Sequence, residues 1–394
     1  MAWWGRGSTV VRMPGRSWRF ARIAGIPIGV SPWWLAIVGL ITWTLGASYF
    51  PAQVAGIAPA AAYGLGLASA MLLFASILLH ELGHALVARR YGIRVVEIDL
   101  WLLGGVARME GEARAPGDEL RYALAGPGVT AVILACFGGL DLLLPSSTSA
   151  MLRALVDYQV LINALILGFN LMPAFPLDGG RVARAVLWLR SGDMQRATQT
   201  AARMGRGFGY LLIGFGALEL FAGSLEGLWL GAIGFFIVIA ADQQAMGAEI
   251  RAAFSGVKAA DLMSTPLVAI PAGLSVNRAT TEYFARYRYT AFPVVDARQQ
   301  LLGIVTIDRV EALAPARRGL SLVDEVADRD PQLVVGEDVD VAELLERPAF
   351  TRVGRAVVVD ERGIAVGLVS ITDVQRAIRS ARLKAAQTPS RAAA

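Results

Sequence analysis

Between Met71 and Ala88 the chain is almost wholly apolar, yet inside that run stand Leu78-Leu79-His80-Glu81-Leu82-Gly83-His84. The 394 residues contain two histidines, and both are here. A charged group near the middle of a membrane helix costs roughly 2.5–3.5 kcal/mol to insert, so ionisable groups kept in such a run mark functional sites. On a helix, positions four apart lie about 40° from each other, so both imidazoles can reach one ion. Glu81 projects about 100° round from His80, close enough to work on a water at that ion without occupying a coordination position. A catalytic zinc takes three protein ligands and leaves one position open. With no further histidine, the third ligand must be a carboxylate or Cys136, the single cysteine.

Charged residues make up 18% of the chain and hydrophobic ones 55%. A large soluble protein carries about 25% charged residues, so most of this chain does not face water. Long apolar runs fill the first 245 residues, while the remainder alternates apolar and charged positions as soluble domains do. A span needs about 20 apolar residues. Six stretches read as spans, near 30–50, 62–88, 121–144, 155–172 (continuing brokenly to 189), 207–222 and 227–241. Arginines crowd the N-terminal arm and the 89–121 and 181–206 loops, whereas the loops near 51–61, 145–153 and 223–226 hold one, Arg153. The positive-inside rule then puts both termini in the cytoplasm. Six crossings satisfy this arrangement, and five would leave the C-terminal domain on the other side.

The net charge of +5 comes largely from arginines flanking apolar runs, which argues against a nucleic-acid partner. Residues 1–22 interleave Arg6, Arg12, Arg16, Arg19 and Arg22 with Trp3, Trp4, Trp18 and Phe20, a composition suited to an anionic membrane surface. The apolar run that follows is too long for the core of a secretory signal and reads as an uncleaved span.

The best candidate for the third ligand is Asp178, in Asn170-Leu171-Met172-Pro173-Ala174-Phe175-Pro176-Leu177-Asp178-Gly179-Gly180-Arg181. Two prolines break the helix there, and breaks inside a membrane segment are tolerated where backbone lines a cavity or is buried in protein. Asp178 and the histidine pair both fall toward the cytoplasmic ends of their spans. Between spans two and three, the partly alternating 95–103 stretch meets Gly104-Gly105, which predicts a hairpin at 95–110 near the membrane boundary.

These residues resemble the site-2 protease family of intramembrane metalloproteases. The likeness lies in His80-Glu81-Leu82-Gly83-His84, in Asn170-x-x-Pro173-x-x-Pro176-x-Asp178-Gly179, and in Gly104-Gly105 followed by Ala125-Gly126-Pro127. It implies that His80, His84 and Asp178 bind Zn2+, that Glu81 is the general base and acid, and that Asn170 orients substrate or stabilises the oxyanion. The family often has Asn three residues after the Pro of its Gly-Pro element. Here Thr130 stands in that position.

From about Val257 two units of similar grammar follow one another, strand, helix, strand–turn–strand, helix, an internal duplication of about 60 residues. They resemble a tandem pair of CBS domains, modules that often bind adenine nucleotides. Gly367-Leu368-Val369-Ser370-Ile371-Thr372-Asp373 fits the Gly-h-h-Ser/Thr-x-x-Asp pattern, in which hydroxyl and carboxylate meet a ribose. The first unit reads Gly303-Ile304-Val305-Thr306-Ile307-Asp308, with the aspartate one position early. The resemblance therefore points to Ser370 and Asp373, with Thr306, as nucleotide contacts, and to homodimers formed through the pair.

The expected fold is a polytopic α-helical membrane protein with about six transmembrane helices and a small β-hairpin near the site, followed by an α/β tandem CBS module. The expected segments are a basic arm 1–22, a metalloprotease domain 23–245, a linker 246–257, CBS domains 258–316 and 317–383, and a disordered tail 384–394. The expected function is cleavage of transmembrane segments of membrane proteins in the cell membrane of a prokaryote, with the CBS pair cytoplasmic. The competing readings are a CBS-gated transporter or channel, and an inactive relative that only binds membrane partners.

Overall fold

A computed structural model describes residues 18–101, 104–111 and 113–387. Most of the expected N-terminal arm and the end of the expected tail lie outside the described residues. The chain divides into two compact units at Ala248 and Glu249.

The first unit opens with strands β1 (Trp18–Ile23) and β2 (Ile26–Val30). The apolar 26–30 segment, which reads locally like the start of a span, is thus a strand, and the first long helix, α1, covers Pro32–Gln53. Next come α2 (Pro59–Arg90), β3 (Arg94–Trp101), β4 (Gly104–Glu110), α3 (Pro116–Leu143), α4 (Ala150–Asn170), α5 (Asp178–Ser191), α6 (Met194–Phe221) and α7 (Glu226–Phe254). Prolines open α1, α2 and α3, where the missing N–H is lost at no cost to the helix. Arg89 and Arg90 close α2, favourably placed against the negative end of the helix dipole.

The predicted hairpin forms as β3 and β4, with Trp101 opposite Gly104. It belongs to a larger four-stranded sheet in the order β1-β2-β3-β4, in which β2 runs parallel to β3. Buried Glu97 and Asp99 on β3 are held by Arg108, and Glu97 also by Arg19 at 3.0 Å. That pairing draws the last residues of the basic arm into the sheet.

Among the described residues, five helices are long and apolar enough to cross a membrane: α1, α2, α3, α4 and α7. The sixth expected span, 207–222, is the C-terminal part of α6, whose N-terminal turns carry Arg196, Arg203 and Arg206. Its apolar C-terminal part begins just after Arg206 and still holds Glu219, and α6 does not fall among those five helices. Residues 246–254, expected as linker, continue α7.

The second unit contains two three-stranded sheets of the same design. In one, β5 (Ile270–Pro271) runs parallel to β6 (Ala291–Val295), which pairs antiparallel with β7 (Leu301–Thr306). In the other, β8 (Val334–Gly336), β9 (Arg355–Val359) and β10 (Ala365–Ser370) repeat that pattern. Each sheet buries its own apolar set, Phe284, Phe292 and Val305 in one, Phe350, Val358 and Val369 in the other. The duplication read in the sequence is therefore a duplication of topology. The C-terminal helix continues from Ile371 to Gln387.

Candidate metal centre

His80 and His84 lie one turn apart on α2, both buried, with their Nε2 atoms 3.1 Å from each other. Asp178, the first residue of α5, brings Oδ2 to 3.0 Å from His80 Nε2 and 3.2 Å from His84 Nε2. Three tetrahedral ligand atoms, each about 2.0–2.2 Å from a zinc ion, are separated by about 3.3–3.6 Å. The observed spacings are near that value, and N, N and O donors are a catalytic-zinc set. Among the described residues these three form the one His/Cys/Asp/Glu group tight enough to hold an ion. Cys136, the alternative third ligand, is exposed on α3 and outside the group.

The other nitrogen of each imidazole is engaged by α3. His84 Nδ1 lies 2.7 Å from the main-chain carbonyl of Tyr122. A carbonyl only accepts, so Nδ1 carries the proton and Nε2 presents its lone pair. His80 Nδ1 lies 2.8 Å from Thr130 Oγ1, and donation from Nδ1 to that hydroxyl likewise frees Nε2. Outer partners of this kind fix the tautomer and ring orientation of a metal-binding histidine. The sequence left Thr130 without a role, and the structure supplies one.

Local packing explains why small residues flank these groups. A Cβ on Gly126 would overlap the His84 imidazole, so α3 can approach α2 only with glycine there. A Cβ on Gly179 would overlap the carbonyls of Leu171 and Met172, because the loop after α4 folds back over the start of α5. Asn170 is the last residue of α4, half-buried, at the head of the loop that ends at Asp178.

Glu81 faces strand β4. A Cβ on Gly105 would stand 2.6 Å from Glu81 Cγ, so the bare backbone of β4 runs directly beside this carboxylate. Strand β4 is last in the sheet order, and among the described residues its outer edge has no strand partner. An unpaired edge is a template for an extended segment.

Four residues missed by sequence reasoning complete the surroundings. Arg184 donates from Nε to Glu119 Oε1 at 2.6 Å, and both side chains are buried. Arg181 donates from Nη1 to Tyr122 Oη at 3.1 Å, with its guanidinium 5.8 Å from the tyrosine ring centroid. Glu119, Tyr122, Gly126 and Thr130 stand three, four and four residues apart, one stripe of α3. That spacing is the signal that could have found Glu119 and Tyr122, and Arg181 and Arg184 stand three apart on α5.

In the second unit, the Ser370 N–H and hydroxyl both donate to Asp373 Oδ2, at 3.0 and 2.5 Å, and the Asp373 N–H reaches Ser370 Oγ at 3.3 Å. This is a reciprocal N-terminal cap on the C-terminal helix. Thr306 caps the corresponding helix of the first repeat through Arg309 N, at 3.4 Å. The structure joins Ser370 to Asp373, and Thr306 belongs to the other repeat.

Comparison with known proteins gives matches in both units. Residues 68–144 and 140–213 match Peptidase family M50, and residues 259–311 and 323–380 match the CBS domain. A protein of Mycobacterium tuberculosis named as a zinc metalloprotease, Rip3, is 37% identical over 92% of this chain and 93% of its own length. One of Synechocystis, also named as a zinc metalloprotease, is 31% identical over 92% of this chain and 95% of its own. The solved site-2 protease from Methanocaldococcus jannaschii is 29% identical, covering 58% of this chain and 95% of its own, with a TM-score of 0.38.

Proposed function

The chain belongs to peptidase family M50, as a zinc metalloendopeptidase of the site-2 protease type with a tandem CBS pair, and from that premise we propose that it cleaves transmembrane segments of membrane proteins near the cytoplasmic face of a cell membrane. The observation that carries this reading is the convergence of His80 Nε2, His84 Nε2 and Asp178 Oδ2 within 3.0–3.2 Å, on helices of an apolar bundle. Those three residues would hold Zn2+. The ion, when bound, supplies a Lewis acid that polarises a carbonyl and lowers the pKa of a water.

Glu81 takes a proton from the attacking water as its oxygen adds to the scissile carbonyl carbon. It then returns that proton to the amide nitrogen as the C–N bond breaks. A substrate helix hides its amides in its own hydrogen bonds, so it must first unwind. The free edge of β4 beside Glu81 supports main-chain pairing of the unwound stretch, and Asn170, at the end of α4, would orient it. Glu81→Gln should leave a folded, zinc-loaded protein whose cleavage rate falls at least about a hundredfold, the usual contribution of a general base. Cleavage at the normal rate by that variant would sink the mechanism.

The CBS pair extends the proposal to regulation by an adenine nucleotide. Arg355, at the start of β9, is half-buried, and burial pushes its guanidinium pKa down while the Asp373 carboxylate opposes that shift. Among the described residues its guanidinium has no side-chain hydrogen bond or ion pair, which supports an anionic ligand at the second repeat. Occupancy changes cleavage only if the ligand binds two states of the protein with different affinity. ATP and AMP titrated against cleavage, with wild type and with Ser370→Ala and Asp373→Ala, test this. Neither binding nor response in the wild type would leave the pair a packing or dimerisation module.

A further inference from the structure

Helices α3 and α5 are joined by two polar rungs in opposed register. The outer rung is the buried Glu119–Arg184 pair. One turn forward on α3 and one turn back on α5 stands the second, where Arg181 both donates to the Tyr122 hydroxyl and lies on its ring. The second rung leads to the metal centre at each end. Tyr122 offers its main-chain carbonyl to His84 Nδ1 at 2.7 Å, and Arg181 follows Asp178 by one helical turn.

The consequence is geometric. Asp178 is delivered by the Leu171–Leu177 loop, which contains Pro173 and Pro176 and has no regular secondary structure of its own, although Phe175 anchors it against Ala201, Ala202 and Ala241. A shift of α5 by a single residue turns its first carboxylate by about 100° and moves it about 1.5 Å, enough to lose coordination. The Glu119–Arg184 rung resists sliding because unpairing a buried ion pair is strongly disfavoured. The hydrogen bond that makes this rung does not involve Tyr122, whose carbonyl orients His84. The Arg181 rung does involve that tyrosine, and a planar guanidinium can stack and donate at once where an ammonium cannot.

We propose that Arg181 is a positioning residue of the metal centre, registering α5 against Tyr122 so that Asp178 meets His84 and His80 at coordination distance. This rests on reading those three residues as the metal ligands. The test uses the purified full-length protein, with zinc and Co(II) affinities measured against a competing chelator, the Co(II) ligand-field spectrum, and thermal unfolding of the chelator-treated form. Arg181→Gln should weaken metal binding about 10- to 100-fold, the range for outer-shell partners. It should also alter the Co(II) spectrum, without lowering the unfolding temperature of the metal-free protein. Arg181→Lys should recover part of the affinity. Tyr122→Phe, which keeps ring and carbonyl, should show a smaller loss and covers the case in which Arg181→Gln fails to fold.

Wild-type affinity and spectrum in Arg181→Gln, or in Tyr122→Phe where Arg181→Gln fails to fold, would overturn the proposal. So would an affinity loss that merely tracks a fall in the metal-free unfolding temperature. His80→Ala separates this from the underlying reading. Full metal content in that variant would refute the ligand set itself, whereas its loss there, with Arg181→Gln unchanged, refutes the positioning role alone.

Discussion

Thr130 contributes a single oxygen, 2.8 Å from His80 Nδ1, at a position where the site-2 protease resemblance leads one to expect an amide. An amide oxygen and a hydroxyl oxygen are interchangeable as acceptors for an imidazole N–H, so the departure changes the side chain and keeps the hydrogen bond. Thr130→Val keeps the shape and removes that acceptor in a fully buried setting. It should lower zinc affinity about 10- to 100-fold, while Thr130→Ser should stay near wild type and Thr130→Asn should fall between them. Competitive chelation measures all three, and equal affinity for Thr130→Val and wild type would remove Thr130 from the site. At this scale the sequence was readable where chemistry and spacing coincide. His80, Glu81 and His84 follow from helix periodicity, and Asp178 from a helix break of the right polarity. Arg181, Arg184, Glu119 and Tyr122 were not read, because arginines beside spans look like orientation signals and an isolated carboxylate on a loop-proximal turn looks solvated.

Helix α3 holds none of His80, His84 and Asp178, yet its Tyr122, Gly126 and Thr130 all lie against the two imidazoles. Its one stripe carries an ion-pair anion at Glu119, a carbonyl and hydroxyl at Tyr122, cleared space at Gly126 and a hydroxyl at Thr130. Gly126 and Gly128 make a clean comparison on this helix. A methyl group at Gly126 would overlap the His84 ring, whereas at Gly128 it meets nothing within 4 Å. Gly→Ala within a helix otherwise favours folding by roughly 0.5–1 kcal/mol. Gly128→Ala should therefore leave metal content unchanged and slightly raise the unfolding temperature, while Gly126→Ala should lose most of its zinc. Metal analysis of the two purified variants decides it, and full zinc occupancy in Gly126→Ala would mean that α3 does not press on the centre. The strand elements divide in the same way. The β3–β4 hairpin is local and was readable from alternation and Gly104-Gly105. The parallel pairing of Ile28 with Ile98 joins residues far apart in sequence, so the 26–30 strand was absorbed into the first apolar run.

For the whole molecule, the question that the arginine pattern raises is whether α6 crosses the bilayer. Among the described residues five helices qualify by length and apolarity, but an odd number of crossings cannot satisfy the arginine pattern, which needs both chain ends on one side. The apolar part of α6, residues 207–222, is about 24 Å long at 1.5 Å per residue, short of the roughly 30 Å hydrocarbon core. Its packing argues that it crosses nonetheless. A Cβ on Gly209 would stand 2.7 Å from the Gly234 carbonyl, and one on Gly216 would stand 2.5 Å from that of Gly227. Backbone contact through small residues is how helices associate in lipid, where apolar burial gives no net drive. The opposite side of the same segment exposes Tyr210, Leu211, Phe215, Leu218 and Phe221, a face suited to acyl chains. The α6–α7 hairpin should therefore cross and return as one unit, making six crossings and leaving both ends of the chain in the cytoplasm. The single cysteine makes this measurable. In a Cys136→Ser background, a cysteine introduced at Ser146 or at Ser224 should react with a membrane-impermeant maleimide on intact cells, and one at Ser191 only after permeabilisation. Protection of the Ser224 position in intact cells, with Ser146 labelled, would show that α6 stays on the inner side. It would also place the CBS pair on the outer side of the membrane, where an intracellular nucleotide could not reach it.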